Sequence, residues 1–332
     1  MRIAYDDMVK EFVRVLNKYG IEGEDAVVSA KLFADASRDG VHTHGLQRFP
    51  KFIASIKNGS VDVTKRAVPV EKIGMIERWD GQRGPGNLNA YICMNRAIEL
   101  AKANGVGVVA LRNTNHWMRP GNYGLMAIDN DCIGILWTNT VPNMPAWGGK
   151  EAKLGNNPIV FAVPYKDKPV MVDVAMSMFS YGKLEKYKRE GVSCPVDGGI
   201  DKEGNITRDP SRILETHQVL PIGYWKGSGL SLVLDLIASS LSGGTYSRGV
   251  GKLPAETSLS QLFIVFDLSA MPDRKHIEEE IGLTLADIDS STPVKDGSSV
   301  HYPGEGMMKT RQESMSIGVF ADDSLWKTVQ EL

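Results

Sequence analysis

The sequence predicts an α/β protein in which helices from the two chain ends form one lobe and a mixed strand-and-helix body lies between them. Apolar residues recur at helical spacing near both ends, whereas the middle of the chain carries short β-branched runs separated by turn residues. A further observation bears on the type of sheet. No Gly-x-Gly-x-x-Gly run follows a strand and opens a helix, so a Rossmann arrangement is not predicted.

Taken in order, Met8, Phe12, Val15 and Leu16 mark one side of a helix over 6–19 that Gly20 ends. Val27, Ala30, Phe33 and Ala34 repeat the pattern over 24–39, and Gly40 stands where a left-handed cap is wanted. A third helix places Phe49, Phe52, Ile53 and Ile56 on one side, with Pro50 tolerated in its first turn, and ends near Gly59. Residues 60–88 read as strands and turns, because Val61, Val63, Val68, Val70 and Ile73 sit among turn residues and Gly81, Gly84 and Gly86 crowd one loop. A helix over 88–104 then leads through Gly105 into a buried strand at 106–111. Further strands are expected at 133–137, 159–163, 170–174 and 262–266, with helices at 178–189, 229–241 and 276–281. Asp323 or Ser324 can cap a last amphipathic helix that carries Leu325, Trp326, Val329 and Leu332. The expected division is a helical lobe of residues 1–70 with 307–332 and an α/β body of residues 71–306.

Composition narrows the function classes. The 332 residues include 38 basic and 40 acidic side chains, a balance that offers no electrostatic footprint for nucleic acid. Cys93, Cys132 and Cys194 lie far apart with no Cys-x-x-Cys pair, so neither structural zinc nor another metal site is expected. The first residues run straight into Asp6 and Asp7 without an apolar signal core, and the most apolar run, Leu230 to Leu241, is broken by Ser231 and Asp235 and is too short for a bilayer. A cytoplasmic protein without membrane contact is therefore expected. Walker A, zinc-ligand and Gly-x-Ser-x-Gly patterns are absent, which argues against ATPase, metallohydrolase and serine esterase chemistry.

The candidate chemistry centres on Gly40 to Pro50. His44 can titrate near neutral pH without help, Arg48 can grip a carboxylate with two parallel hydrogen bonds, and Gly45 removes side-chain bulk between them. A solvated or capping histidine is the plain alternative. Asp173 interrupts an apolar run, so it either holds a ligand such as a ribose hydroxyl or caps the following turn. His116 follows a buried strand, where loops carry ligands, but could equally serve packing. Tyr224 to Gly229 offers a ring, an ammonium and free amides ahead of an apolar helix, which suits an anion or simply forms an aromatic turn.

Several stretches together resemble the malate/L-lactate dehydrogenase family whose members lack the Rossmann fold. They are Thr43 to Pro50, Leu111 to Arg119, Met171 to Asp173, Ser177 to Gly182, Pro195 to Gly199 and Gly223 to Gly229, so the resemblance covers nearly the whole chain and is closest to a branch that reduces a diketo sugar acid. The resemblance implies a non-Rossmann mixed-sheet cofactor domain with a helical lobe, a homodimer, and NAD as cofactor in the form of NADH, with NADP possible. It implies that His44 is the proton donor, that Arg48 binds the substrate carboxylate, and that His116 hydrogen-bonds a carbonyl or sugar hydroxyl. The cofactor would be held by Pro169, Val170, Met171, Val172, Asp173, Val174 and Ala175, by Trp225 and Lys226, and by Gly304, Glu305 and Gly306. The reaction expected is reduction of a C2 carbonyl in a small-molecule sugar acid. A malate-, lactate- or ureidoglycolate-type dehydrogenase is the alternative within the family, and a noncatalytic sugar-acid or nucleotide sensor is the alternative outside it.

Overall fold

The computed structural model describes residues 1–295 and 297–332. A two-residue strand, β1 (Arg2–Ile3), precedes the helices α1 (Tyr5–Lys18) and α2 (Gly23–Arg38). Acidic residues fill the first turn of both helices and Lys18 and Arg38 close their last turns, which complements the aligned peptide dipoles. A 3-10 turn over His42–His44 leads to α3 (Phe49–Lys57), which has a proline in its first turn. Three rings join these helices: Phe12 stacks on Phe49 at 4.2 Å between centroids, and Phe33 stands edge-on to Phe49 at 5.1 Å.

A hairpin of β2 (Val68–Ile73) and β3 (Ile76–Asp80) follows, then α4 (Gly86–Asn104), which ends on Gly105 in the left-handed conformation (φ 83°) and feeds β4 (Val106–Thr114). Next come α5 (Gly121–Asp129), β5 (Cys132–Thr138), the short pair β6 (Met144–Pro145) and β7 (Ala152–Leu154), and the strands β8 (Ile159–Val163) and β9 (Val170–Val174). Beyond α6 (Tyr181–Glu190) lie β10 (Gly199–Ile200), β11 (Ile206–Thr207), α7 (Pro210–Thr216), α8 (Trp225–Ser242) and the single turn α9 (Ser247–Val250). The chain closes with β12 (Leu259–Asp267), α10 (Arg274–Asp289), α11 (Glu305–Ile317), β13 (Val319–Phe320) and α12 (Asp323–Glu331).

Seven strands form one sheet in the order β2-β3-β4-β12-β5-β8-β9. β3 and β4 pair in parallel, a join that needs a crossover, and α4 supplies it; the other neighbours run antiparallel. This mixed sheet matches the absence of a dinucleotide fingerprint in the sequence. Both faces are covered, which is why the middle of β12, Leu262 to Phe266, is apolar: Phe263 and Val265 face α4, and Leu262 and Ile264 face α8. A separate cluster joins α1, α2 and α3 to α12, where Trp326 and Val329 meet Phe12, Leu16 and Ile53. β1 pairs with β13 in the same region. Among the described residues no helix is long and apolar enough to cross a membrane.

Most of the periodic helices and β-branched runs stand where the sequence places them, but Val61 and Val63 precede the first strand of the main sheet and Val27 is exposed on α2. The helix expected at 276–281 spans Arg274–Asp289, and α5, α7, α9 and α11 did not announce themselves. Gly121 and Gly124 weaken the helical signal of α5, and packing explains both. A Cβ at Gly124 would lie 2.8 Å from Cγ1 of Val160, and one at Gly121 would lie 2.8 Å from Oδ2 of Asp173. α8 begins at Trp225, four residues before the expected start, so Trp225 and Lys226 belong to its first turn.

One buried ion cluster ties separate segments together. Asp39, at the end of α2, accepts hydrogen bonds from Arg38 Nε at 2.8 Å, from Arg119 Nη1 at 2.6 Å, and from Arg311 Nε and Nη2 at 2.8 and 2.6 Å. Burial alone would push its carboxyl up, but hydrogen bonds from Arg311 and Arg38 and the charge of Arg119 outweigh that and hold it well below the usual carboxylate range. Its contribution to stability is therefore present above the ordinary carboxylate pKa of about 4 and is lost as pH falls below it. Asp39→Asn strands buried guanidinium charge and is expected to cost about 3–5 kcal/mol in urea unfolding at pH 7, with a smaller difference from the native protein at pH 3.

Candidate active site

A cavity of about 710 Å³ opens between the N-terminal helices and one end of the sheet. His44, Arg48 and His116 line it together with Met171, Asp173, Ala175 and Gly304, so one space joins the expected acid, the expected carboxylate ligand and part of the expected cofactor set.

The His44 loop is fixed from behind by α2. A Cβ on Gly45 would fall 2.1 Å from Ser37 Oγ and 2.7 Å from Ser37 N, so only glycine lets the backbone approach this closely. Ser37 Oγ accepts from Leu46 N at 2.9 Å and donates to Phe33 O at 3.2 Å, which docks the loop on the helix. The sequence suggested that Gly45 clears space inside the site; in the structure its role is contact with α2. Arg48 stands at the position just before α3.

His44 Nδ1 lies 3.1 Å from Thr43 Oγ1, and its ring faces that of His116 with centroids 5.9 Å apart and planes 21° from parallel. His116 Nδ1 accepts from Met118 N at 3.0 Å, which leaves its Nε2 as the hydrogen-bearing nitrogen. Burial, then the charges of Arg48 and Arg119, lower the His44 pKa to about 4. Burial, then Arg48 and His44, push His116 well below its ordinary value. Both rings are therefore neutral at pH 7 in the free protein. The sequence alone placed the His44 titration near neutrality, because nothing local reveals the burial that lowers it most.

Asp173 stands on β9 at the opposite wall. Its Oδ2 accepts from Gly121 N at 2.9 Å, so the carboxylate meets the start of α5 rather than the turn after its own strand. Burial raises its pKa, opposed by the charge of Arg119 and by the Gly121 N–H. The Pro303-Gly304 segment lies directly against β9: Met171 N donates to Pro303 O at 3.0 Å, and a Cβ on Gly304 would lie 2.4 Å from Pro169 O. A half-buried acceptor beside two closely packed backbones suits a ribose hydroxyl and a flat ring, so these residues fit a nicotinamide nucleotide. Glu305 and Gly306 begin α11, and Glu305 Oε2 lies 2.7 Å from His301 Nδ1.

Trp225 and Lys226 do not join this cavity within one chain. Trp225 is 66% exposed at the head of α8, and the Lys226 ammonium sits 5.9 Å from its ring centre. Leu230, Leu232, Val233, Leu236 and Ile237 are exposed along the same helix, while Leu234 and Ala238 face the sheet.

Sequence reading missed other members of the wall. Arg119 is 2% exposed, donates to Asp39 and to Asn122 Oδ1 at 3.2 Å, and keeps a buried Nε without a partner among the described residues. It lay within a stretch that carried the resemblance, but its role depends on Asp39, eighty residues earlier. Tyr181 donates to Asn143 O at 2.9 Å, and Glu256 accepts from Val141 N at 3.2 Å while its charge acts on Arg48. Glu256 sits in a loop with no local signal.

Known proteins resemble this chain over its whole length. A family model described as malate/L-lactate dehydrogenase matches residues 3–330. The 2,3-diketo-L-gulonate reductase of Citrobacter koseri is 41% identical over 337 residues, covering all of both chains, and that of Escherichia coli O127:H6 is 41% identical over 334 residues with the same coverage. Among solved structures, malate dehydrogenase from Entamoeba histolytica superposes with a TM-score of 0.94 at 27% identity, covering 100% of this chain and 96% of that one. Sulfolactate dehydrogenase from Methanocaldococcus jannaschii superposes with a TM-score of 0.91 at 30% identity, again covering 100% and 96%.

The close approach at Gly45 gives a direct test. Gly45→Ala is expected to lose about 1–3 kcal/mol in thermal unfolding, whereas Gly306→Ala, whose Cβ meets open space, is neutral or stabilising in the same measurement.

Proposed function

The chain belongs to the malate/L-lactate dehydrogenase family and is an oxidoreductase, and on that premise we propose that it uses NADH to reduce the C2 carbonyl of 2,3-diketo-L-gulonate to 3-keto-L-gulonate, with His44 as proton donor. The observation that carries this reading is a single cavity with His44 and Arg48 on one wall and Asp173 and Gly304 on another, in a chain 41% identical over its full length to reductases of that name. When bound, the nicotinamide supplies the hydride. Pro169 to Ala175 and Gly304 to Gly306 hold the nucleotide, with NADPH as the alternative donor that a comparison of KM values decides. Arg48 binds the C1 carboxylate and fixes which face of the carbonyl is presented. His116 donates through Nε2 to a neighbouring oxygen, and His44 protonates the C2 oxygen as charge develops there.

The electrostatics couple proton uptake to substrate binding. Arg48 helps keep His44 neutral in the free protein. A carboxylate seated on Arg48 cancels that charge, so His44 is more readily protonated in the complex.

A homodimer in the cytoplasm is part of the same proposal. The apolar outer face of α8 is suited to a second copy, and such a copy is what would bring Trp225 and Lys226 within reach of a cofactor. The alternative reading, a malate-, lactate- or ureidoglycolate-type enzyme, draws on the likeness to malate and sulfolactate dehydrogenase structures, and steady-state rates on a panel of keto acids separate the two.

His44→Ala is expected to lower kcat by about 10²–10⁴-fold with NADH affinity retained in a fluorescence titration, while Arg48→Ala chiefly raises KM for the keto acid; near-native turnover of His44→Ala removes the proton-donor role. The pH dependence has a defined sign. Because the acid must be protonated and its free pKa is about 4, kcat/KM for reduction falls by about tenfold per unit as pH rises from 5 to 8, and a flat profile across that range contradicts the assignment.

A further inference from the structure

A second chamber of about 170 Å³ adjoins the main cavity. The two share Arg48, Lys51, His116, Met118 and Glu256, so these side chains form a partition between them. Beyond the partition the polar wall consists of Ser55 on α3, Asn58 and Ser60 just after it, and Asn115 directly after β4.

The hydrogen bonds already made define what each group can still offer. The Asn115 Nδ2 donates to the carbonyls of Arg83 at 2.7 Å, Gly84 at 3.0 Å and Ser60 at 3.3 Å, which leaves Oδ1 as an acceptor. The Ser55 hydroxyl donates to Lys51 O at 3.0 Å and so can accept. Asn58 Oδ1 accepts from Ser60 N at 3.0 Å, which leaves its Nδ2 as a donor. Glu256 uses Oε1 on Val141 N and retains Oε2, while Lys51 adds an ammonium. The chamber thus mixes acceptors and donors around a small volume. A carboxylate or phosphate needs donors alone and would meet the Glu256 charge, and a plain alkyl chain would strand these polar groups. Hydroxyl groups, each donor and acceptor at once, match the mixture.

We infer that this chamber is a specificity subsite that receives the hydroxylated carbon chain of the keto acid beyond its reacting carbonyl. Arg48 and His116 in the partition then hold the reacting end at the chamber mouth, so chain length is read where the carbonyl is positioned. The inference rests on the sugar-acid reading above and specifies which residues select for it.

The test compares kcat/KM for 2,3-diketo-L-gulonate with that for pyruvate, using NADH, in the native protein, in Ser55→Leu, which fills the chamber, and in Asn58→Ala, which removes a donor. The ratio of long to short substrate is expected to fall by about tenfold or more in Ser55→Leu and by about three- to tenfold in Asn58→Ala. NADH titration and the far-ultraviolet circular dichroism spectrum establish that each variant is folded. A ratio within twofold of the native value in folded Ser55→Leu overturns the subsite while leaving the sugar-acid reading in place. A native protein that prefers pyruvate overturns both, and that result is visible before any variant is made.

Discussion

The buried Asp39 carboxylate is the contact on which the site depends. It is flanked by Arg38 of its own helix, by Arg119 from the loop ahead of α5 and by Arg311 of α11. Those segments are far apart in sequence and form three sides of the same cavity. Removing one charge from such a cluster leaves the others buried without compensation, so the arrangement holds as a unit. It also sets the electrical character of the space in front of it. Arg119 is held in place by Asp39, and from there it acts on both His44 and Asp173.

The charge pattern suits an anionic reactant. Burial, with Arg48 acting on both facing imidazoles and Arg119 on His44, keeps the rings neutral in the free protein. Under the proposed mechanism a neutral carbonyl compound brings no carboxylate to Arg48 and leaves in place the charge that disfavours a proton on His44. In that proposal binding and acid catalysis draw on the same charge, the chain provides the cradle and the proton, and a nicotinamide cofactor would supply the hydride.

Much of the architecture was legible because helices α1 and α12 bury one side only, and β8 and β9 are short runs rich in β-branched residues. α5 was not, because the glycines that blur its pattern are required where it touches β8 and β9. His44, Arg48 and Asp173 could be singled out as polar residues in unusual places. Their surroundings could not: the partner of Arg119 is on another helix, Glu256 lies in an unmarked loop, and the donor to Asp173 is a backbone amide fifty residues away in sequence. Trp225 and Lys226 show the same limit in another form, since a motif readable in one dimension lies outside the cavity of a single chain.

The pairing of β1 with β13 has a consequence for how the molecule folds. Ile3 and Phe320 belong to adjoining rungs of one two-stranded ribbon. The core that α1 to α3 share with α12 joins segments separated by most of the sequence, so Phe12, Phe49 and Ile53 gain their full cover only when a very long loop closes. The helices that flank His44 therefore depend for their last contacts on residues distant from them along the chain.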